Sequence, residues 1–177
     1  MINHLEHAVV ISCYAGNDYP GDINAEMAHP IAMAYVANSV CAAGADVIRT
    51  NLVNVREIKK MVTVPVIGIQ KIPHPTVAGD FRITPTMREV DLLVEAGADG
   101  IAIDGTFRPR YDELTFEQFV HSITEKYPDL TLIADISTLE EGMAAWEAGV
   151  DYVGTTLSGY TSYSKNQIVF GIIPTPE

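Results

Sequence analysis

Three short segments of this chain repeat one pattern at a nearly constant interval, and this repeat constrains the fold more than any other feature. The segments are AAGADVIRTN (42–51), EAGADGIAID (95–104) and EAGVDYVGTT (147–156). Their shared glycines, Gly44, Gly97 and Gly149, lie 53 and 52 residues apart. Each segment predicts the end of a helix, a glycine C-cap and then a buried strand.

Further apolar segments show that the repeated unit contains two strands. HAVVIS (7–12), VPVIGI (64–69) and LTLIADI (130–136) each predict a strand. Between the strands lie signals for the start of a helix. Each is a threonine N-cap, followed either by a proline in the first turn or by a glutamine or glutamate three residues later. They are Thr84-Pro85, Thr115 with Gln118, and Thr138 with Glu141. In addition, residues 29–44 predict a largely buried helix and residues 55–61 a short exposed one.

The alternation of apolar strands and helices is typical of a parallel sheet covered by helices. Its near-even spacing, with polar residues at the strand ends, favours a (β/α)₈ barrel of the TIM type over an open doubly wound sheet. No GxGxxG motif or P-loop follows a predicted strand. The 177 residues hold about six βα units, whereas a full barrel has eight and usually ~200 residues or more. We therefore expect one domain, residues 1–177, that is an incomplete (β/α)₈ barrel.

Charge and cysteine content argue against several classes of protein. The formal net charge of −12 argues against general binding of nucleic acid or of an anionic membrane. The first ten residues do not match a signal peptide, and no apolar run approaches the length of a membrane span. Cys13 and Cys41 form no CxxC motif, so we expect two small core residues in a reducing cytoplasm. The scattered histidines lack the companions of a tetrahedral set, so we expect no metal site.

Polar side chains occur where the predicted strands end. They are Tyr14, Arg49, Lys71, Asp104, Asp135 and Thr156. In barrels of this type, catalytic groups gather at the carboxyl ends of the strands. We therefore expect these side chains to converge on one mouth and to form an active site. For any one of them, a loop cap or a solvated charge is the alternative.

Seven motifs give the chain a resemblance to a known family. They are ISCYAG, VIRTN, VPVIGIQK, FRITPTMREVDLLVEAGAD, IAIDGTFRPR, IADISTLEEG and DYVGTTLSGYTSY. In order and spacing, over roughly residues 8–164, they resemble the N-acetylmannosamine-6-phosphate 2-epimerases. The resemblance implies a (β/α)₈ barrel that interconverts N-acetylmannosamine 6-phosphate and N-acetylglucosamine 6-phosphate during sialic-acid breakdown. It also implies that no redox cofactor is needed.

By this resemblance, Lys71 is the catalytic lysine. Epimerisation removes a proton from C2, beside the C1 aldehyde of the open-chain sugar, and returns it on the other face. A base must be uncharged to take that proton, so we expect the apolar strand end and the nearby Arg49 to favour the neutral amine. Two alternatives stay open: a snorkelling surface lysine, and a Schiff-base lysine in an aldolase-like barrel.

The resemblance also implies substrate contacts at the mouth. The forked donors of Arg49 suit carboxamide, hydroxyl or phosphate oxygens, with a salt bridge at the barrel rim as the alternative. Asp135 matches an aspartate that contacts the sugar. Asp104 and Thr156 complete this predicted substrate-binding set, although Asp104 could equally cap the loop that follows it. Nearby, Arg108 and Arg110 are expected to be surface charges of that loop, and Tyr160 and Tyr163 to pack against the mouth.

Three departures from the family pattern bear on function. Tyr14 stands where the SCQA motif of the family has glutamine, which changes a predicted substrate contact. The loop from Ala15 to Met27 also differs from the usual pattern. The sequence stops at Glu177, before the family's seventh strand with its AEG glutamate and before the eighth βα unit with its phosphate-binding loop.

From these departures we expect a C-terminally truncated member of the family. Six strands leave two open edges, and buried parallel strands tolerate open edges poorly. We therefore expect a homo-oligomer in which partner chains cover those edges. The predicted function is that of a sugar-phosphate 2-epimerase. The alternative is a catalytically impaired barrel fragment, or a non-enzymatic protein that binds a sugar phosphate or serves in assembly.

Overall fold

Six strands form one parallel sheet, and two more form a separate hairpin. The structure is a computed structural model that describes residues 2, 5, 7–15, 27–77 and 80–164. In chain order the strands are β1 (Val10–Ser12), β2 (Val47–Asn51), β3 (Val66–Ile69), β4 (Lys71–Pro73), β5 (Phe81–Ile83), β6 (Gly100–Asp104), β7 (Thr131–Asp135) and β8 (Tyr152–Gly154). The parallel sheet has the order β1-β2-β3-β6-β7-β8, so all six predicted strands are confirmed.

Five helices connect the strands of the parallel sheet. They are α1 (Pro30–Ala42), α2 (Leu52–Met61), α3 (Met87–Ala96), α4 (Phe116–Lys126) and α5 (Leu139–Glu147). Because each strand of the sheet pairs with the strand of the preceding βα unit, the sheet grows in one direction and curls into part of a barrel. This is the architecture of the predicted incomplete (β/α)₈ barrel.

The helix starts follow the predicted capping signals with one exception. Capping boxes are present at Thr115 and at Thr138, as predicted. The predicted N-cap at Thr84 is wrong, because α3 begins after Thr86, which forms its own capping box with Glu89. Thr84 has a φ of 45°, and its hydroxyl accepts a hydrogen bond from the backbone N–H of Gln70 instead of from a helical turn.

Two expectations about helix burial are wrong, because each helix presents one face to the sheet. Helix α1 is not largely buried: only Met33, Ala34 and Ala37 are buried, and Tyr35 is exposed. Helix α2 is not simply exposed: Asn54, Val55 and Ile58 are buried against the sheet. An apolar sequence on a barrel helix therefore did not indicate full burial, since the outer face of such a helix faces away from the strands.

The three repeated glycines share one backbone conformation. Gly44, Gly97 and Gly149 have φ values of 104°, 96° and 95°, in the left-handed region that side chains with a Cβ rarely adopt. Gly97 is itself the C-cap of α3, whereas the other two directly follow the C-cap residues of α1 and α5. The repeat in the sequence thus marks the turn from each helix into the next strand.

The strand side chains divide into two cores. Outward-facing residues such as Ile48, Ile101 and Leu132 pack with the helices in one cluster. Inward-facing residues such as Val47 and Ile133 form a second cluster inside the curve of the sheet, together with Ile2. The backbone N–H of Ile2 donates to Thr131 Oγ1, so Ile2 lies at the end of the barrel opposite the carboxyl ends of the strands.

The antiparallel hairpin of β4 and β5 was not predicted. The strand predicted at VPVIGI (64–69) ends at Ile69, as β3 does, and the chain leaves the sheet at Gln70. Lys71 then opens β4, paired with Ile83 of β5. The hairpin therefore carries Lys71 over the carboxyl ends of the barrel strands.

Some sequence-based expectations concern segments that the structure does not describe. Residues 16–26, which hold most of the loop that departs from the family pattern, lie outside the described residues, and so do residues 165–177. Within the described ranges, no helix has both the length and the hydropathy that a bilayer span requires.

Candidate active site

Five of the six predicted site residues lie at one end of the barrel, because parallel strands bring their carboxyl ends to one edge. The expectation that Arg49 also lies at a strand end is wrong, since it is the third of the five residues of β2. Asp104 and Asp135 are the last residues of β6 and β7 and are paired in register. Tyr14, Lys71 and Thr156 each lie two residues after the end of β1, β3 and β8. Thr156 is exposed in the turn that follows β8.

Arg49 and Asp135 form an ion pair across the inside of the barrel. Nη1 and Nη2 of Arg49 donate to Oδ1 and Oδ2 of Asp135 at 2.8 and 2.5 Å. Their side chains are 12% and 0% exposed. Since β3 and β6 lie between β2 and β7 in the sheet, the pair spans the concave face. The predicted alternative for Arg49, a salt bridge, is therefore present, while its contact with substrate stays a prediction.

Electrostatics keep the guanidinium of Arg49 charged. Burial by itself lowers the pKa of Arg49, but the charge of Asp135 and its hydrogen bonds outweigh burial and raise that pKa above its ordinary value. Tyr14 contributes in the same direction. The mouth therefore presents a permanent guanidinium whose two outer nitrogens are already oriented by a carboxylate, with further N–H donors available for an oxygen ligand.

Lys71 is held among aromatic side chains. Its Nζ donates to the Tyr14 hydroxyl at 3.2 Å and lies 4.7 Å from the centroid of the Tyr14 ring. It also lies 5.3 Å from the ring of Phe81, which the opposite strand of the hairpin supplies. Phe81 in turn packs edge-on against Tyr160, as expected of a tyrosine that packs at the mouth. Lys71 is partly buried, so it is neither fully sequestered nor extended into solvent.

Tyr14 connects the lysine with the ion pair. Its hydroxyl accepts from Lys71, and its interaction with Arg49 helps to raise the pKa of that guanidinium. Tyr14 from the loop after β1 therefore interacts with Lys71 at the start of β4 and with Arg49 on β2. A phenol at this position adds a hydroxyl that can donate to or accept from a substrate oxygen.

Asp104 directs its carboxylate at protein donors. Oδ1 accepts from the backbone N–H and the hydroxyl of Thr106, which is the predicted loop cap. Oδ2 accepts from Arg108 at 2.7 Å and from the backbone N–H of Ile83 at 3.3 Å. Burial raises the pKa of Asp104, although Arg108 and Thr106 oppose that shift. The contact of Asp104 with substrate stays a prediction, and the structure shows it joining β6 to the hairpin.

The expectation that Arg108 and Arg110 are surface charges is wrong. Their side chains are 10% and 9% exposed. Arg108 bridges Asp104 and Asp80, while Arg110 pairs with Asp112 and lies 3.8 Å above the ring of Phe119. Both charges are tolerated in the protein because each has a carboxylate partner.

Asp80 and Arg82 were not predicted to take part in the site. Arg82 is buried on β5 and pairs with Asp80, which also accepts from Arg108. Burial raises the pKa of Asp80, but these two guanidiniums and the N–H of Phe81 outweigh it and lower the pKa overall. The ion pairs of Asp80 with Arg82 and Arg108 connect the hairpin with the loop after β6. A sequence signal for these pairs is lacking, because their members are spread from residue 80 to residue 108.

Glu141 joins three loops near the mouth. It accepts from the backbone N–H groups of Phe107, Ser137 and Thr138 at 2.8, 2.7 and 3.0 Å, and from the Tyr163 hydroxyl. Burial and this carboxylate raise the pKa of Tyr163 to about 12. For Glu141 itself burial raises the pKa, but the hydrogen bonds from Tyr163, Phe107 and Ser137 outweigh burial and lower it.

We expect Glu141→Gln to destabilise the fold at neutral pH more than in acid. A carboxyl with a lowered folded pKa stabilises the native state above its unfolded pKa of about 4.3, and this stabilisation is lost as the pH falls through the lower folded value. Urea unfolding of both proteins at pH 7 and below pH 4 measures the effect. The difference in free energy of unfolding should shrink in acid, and a constant difference would contradict the assignment.

No three His, Cys, Asp or Glu side chains of the described residues are arranged to hold a metal ion. Cys13 is buried, Cys41 is partly buried, and both are free thiols. Burial raises the pKa of each thiol, so the core role predicted for Cys13 is confirmed and Cys41 packs at the edge of the same core.

Comparison with known proteins supports the resemblance found in the sequence. Residues 32–169 match the family described as "Putative N-acetylmannosamine-6-phosphate epimerase". Proteins named "Putative N-acetylmannosamine-6-phosphate 2-epimerase" from Caldanaerobacter subterraneus and Borreliella afzelii are 43% and 40% identical, over 93% and 91% of this chain. The chain spans 66% of the length of each of these relatives.

Solved structures show the same relationship. The N-acetylmannosamine-6-phosphate 2-epimerase from Clostridium perfringens is 35% identical and superimposes with a TM-score of 0.77, over 93% of this chain and 71% of that one. The orotidine 5'-phosphate decarboxylase from Pyrococcus horikoshii is 17% identical, with a TM-score of 0.56 over 89% of this chain and 68% of the other. The second likeness shows a common barrel fold only.

Proposed function

Because the chain belongs to the N-acetylmannosamine-6-phosphate epimerase family, we propose that it interconverts N-acetylmannosamine 6-phosphate and N-acetylglucosamine 6-phosphate. The two sugars differ only in configuration at C2. The reaction therefore needs a group that takes the C2 proton from one face and allows its return to the other. It needs no net oxidation, since the same C–H bond is broken and formed again.

Lys71 is the proton-transferring base in this proposal. As the neutral amine it takes the proton from C2, and the electron pair of the C–H bond moves into the C1 aldehyde to give an enolate. Water then supplies a proton to the opposite face of C2, which gives the epimer, and Lys71 returns to the neutral amine by releasing its proton to solvent. Support comes from the place of Lys71 at the mouth, where its Nζ is oriented by the Tyr14 hydroxyl and faces the aromatic rings of Tyr14 and Phe81.

The neighbouring groups are proposed to bind the sugar and the developing charge. Arg49 is a fixed cation whose pKa is raised by Asp135, so it can stabilise an oxyanion without itself losing a proton. Asp135 orients Arg49 and can accept from a sugar hydroxyl, and Tyr14 can donate to an oxygen at C1. Asp104 and Thr156 stay in the proposed substrate-binding set at the edges of the mouth.

The observation that carries this proposal is the hydrogen bond from Lys71 Nζ to Tyr14 at the mouth, together with the interaction of Tyr14 with Arg49. The direct test incubates the purified chain with N-acetylmannosamine 6-phosphate and follows both sugars by NMR. Appearance of N-acetylglucosamine 6-phosphate, and the reverse conversion, are expected. Binding of the sugar phosphate without conversion would instead favour the non-enzymatic alternative.

We also propose a cellular setting and an assembly. The free cysteines suit a reducing cytoplasm, and the reaction suits the breakdown of sialic acid.

A single barrel domain of residues 1–177 is proposed to associate with a second copy at the side formed by α5 and β8. There the apolar side chains of Leu139, Met143 and Trp146 are 76%, 56% and 65% exposed, beside the edge strand of the described sheet. Light scattering is expected to give at least twice the 19.3 kDa of one chain; a monomer at high concentration would contradict this.

A further inference from the structure

Thr84 has the most strained described backbone near the mouth. Its φ is 45°, and the residue is completely buried. A β-branched side chain with positive φ is a genuine outlier. The next residue is Pro85, which normally confines the residue before it to extended conformations. Such a conformation persists only where the surrounding structure holds it, and it is typical of functional sites.

Two hydrogen bonds connect Thr84 with Gln70. The backbone N–H of Thr84 donates to the Gln70 carbonyl at 2.6 Å, and the backbone N–H of Gln70 donates to Thr84 Oγ1 at 3.1 Å. In a regular antiparallel pair, the second bond would end on the Thr84 carbonyl. The threonine hydroxyl therefore takes the place of a carbonyl, and one residue satisfies both backbone polar groups of Gln70.

This pair closes the base of the hairpin that carries the proposed base. Gln70 is the residue at which the chain leaves β3, and Lys71 follows it directly. Lys71 is paired with Ile83, the residue before Thr84. The direction in which the Lys71 side chain leaves the barrel is thus set by the Gln70–Thr84 pair.

We propose that Thr84 is a positioning residue for Lys71. Its hydroxyl and its strained backbone hold Gln70, and through Gln70 they hold the Lys71 amine beside Tyr14 and the substrate. This inference rests on the proposed function. A threonine of merely structural importance would change stability and leave turnover intact. A positioning residue changes kcat more than KM, because Arg49 and Asp135, the proposed binding groups, lie on other strands.

The test compares Thr84→Ala and Thr84→Ser with Thr131→Ala. Loss of the hydroxyl is expected to lower kcat roughly 10- to 100-fold with little change in KM, since an error of about 1 Å at a catalytic group can cost this much. Thr84→Ser keeps the oxygen and should keep kcat close to that of the unmodified chain. Thr131 is a matched control, because it is equally buried and also accepts a backbone hydrogen bond, but at the other end of the barrel. Its variant should lose stability and keep kcat.

Thr84→Gly is included because Thr84→Ala could fail to fold at a positive φ. Glycine adopts positive φ freely and also lacks the hydroxyl. This variant should fold and should show the same loss of kcat as Thr84→Ala. Full kcat in Thr84→Gly, or an equal loss in Thr84→Ser and Thr84→Ala, would overturn the inference.

A structural readout separates failure of this inference from failure of the proposed function. If the unmodified chain does not epimerise the sugar phosphate, the function is wrong, and crystal structures still test Thr84. The contact between Lys71 Nζ and Tyr14 Oη, now 3.2 Å, should be kept in Thr84→Ser and lost in Thr84→Gly. An unchanged contact in Thr84→Gly would overturn the positioning role.

Discussion

Replacing Lys71 by alanine is expected to lower kcat for epimerisation by at least about 100-fold, because general acid–base catalysis typically contributes 10²–10⁴-fold. The variant loses the only amine that the described structure places beside Tyr14 and Phe81 at the mouth. Lys71→Arg should be nearly as inactive. A guanidinium keeps the positive charge and can still meet the aromatic rings, but it does not lose a proton near neutral pH.

The control for this prediction is Lys60→Ala. Lys60 lies on α2 with a side chain that is 60% exposed, and its partner is Glu57 on the same helix. This variant removes an equal charge from the outside of the barrel and should keep the kcat of the unmodified chain. Turnover by Lys71→Ala within a fewfold of that of Lys60→Ala would rule out Lys71 as the base.

Asp135→Asn is expected to produce the largest loss of stability. It leaves the buried guanidinium of Arg49 without its counter-charge, and removing one partner of a buried ion pair typically costs about 3–5 kcal/mol. Both side chains are nearly or completely inaccessible, so solvent compensates little. Urea unfolding measures the change in free energy. Glu57→Gln, which breaks the exposed pair with Lys60, is the comparison and should cost about 1 kcal/mol or less.

The double variant Arg49→Met, Asp135→Leu separates stability from function. Replacing both partners of a buried pair by apolar side chains of similar volume is often neutral for stability. We therefore expect most of the lost free energy of unfolding to return, while epimerisation does not, because the cation proposed to bind the substrate is gone. Recovery of activity together with stability would show that the pair serves the fold alone.

The barrel could be predicted from the sequence because its signals are local. Each glycine of the repeat marks a helix end, and each capping box is contained within four residues, as at Thr115 and Thr138. The register of parallel strands then brings Asp104 and Asp135 to one edge without further information. The N-cap predicted at Thr84 was wrong, although a threonine before a proline is a local signal of the same kind. Its hydroxyl accepts a hydrogen bond from the backbone N–H of Gln70 instead.

The details of the site could not be predicted, because they depend on contacts between distant residues. The apolar strand before Gln70 predicts where β3 ends, but it does not show that an antiparallel hairpin begins at Lys71, because the partner strand starts only at Phe81. The burial of Arg108 depends on Asp80, which is 28 residues earlier in the chain. The Arg49–Asp135 bond joins residues 86 positions apart and follows from the curvature of the sheet.

The proposed function depends on exchange of the hydrogen at C2 of the sugar phosphate by the Lys71 amine. Incubation of the chain with N-acetylmannosamine 6-phosphate in D₂O, followed by NMR at C2, measures this step directly, even where net conversion is slow. We expect deuterium to appear at C2 with the unmodified chain, and with Lys71→Ala to appear only at the rate of the protein-free solution. Equal deuterium incorporation by the two proteins would contradict it, as would incorporation by the unmodified chain no faster than in the absence of protein.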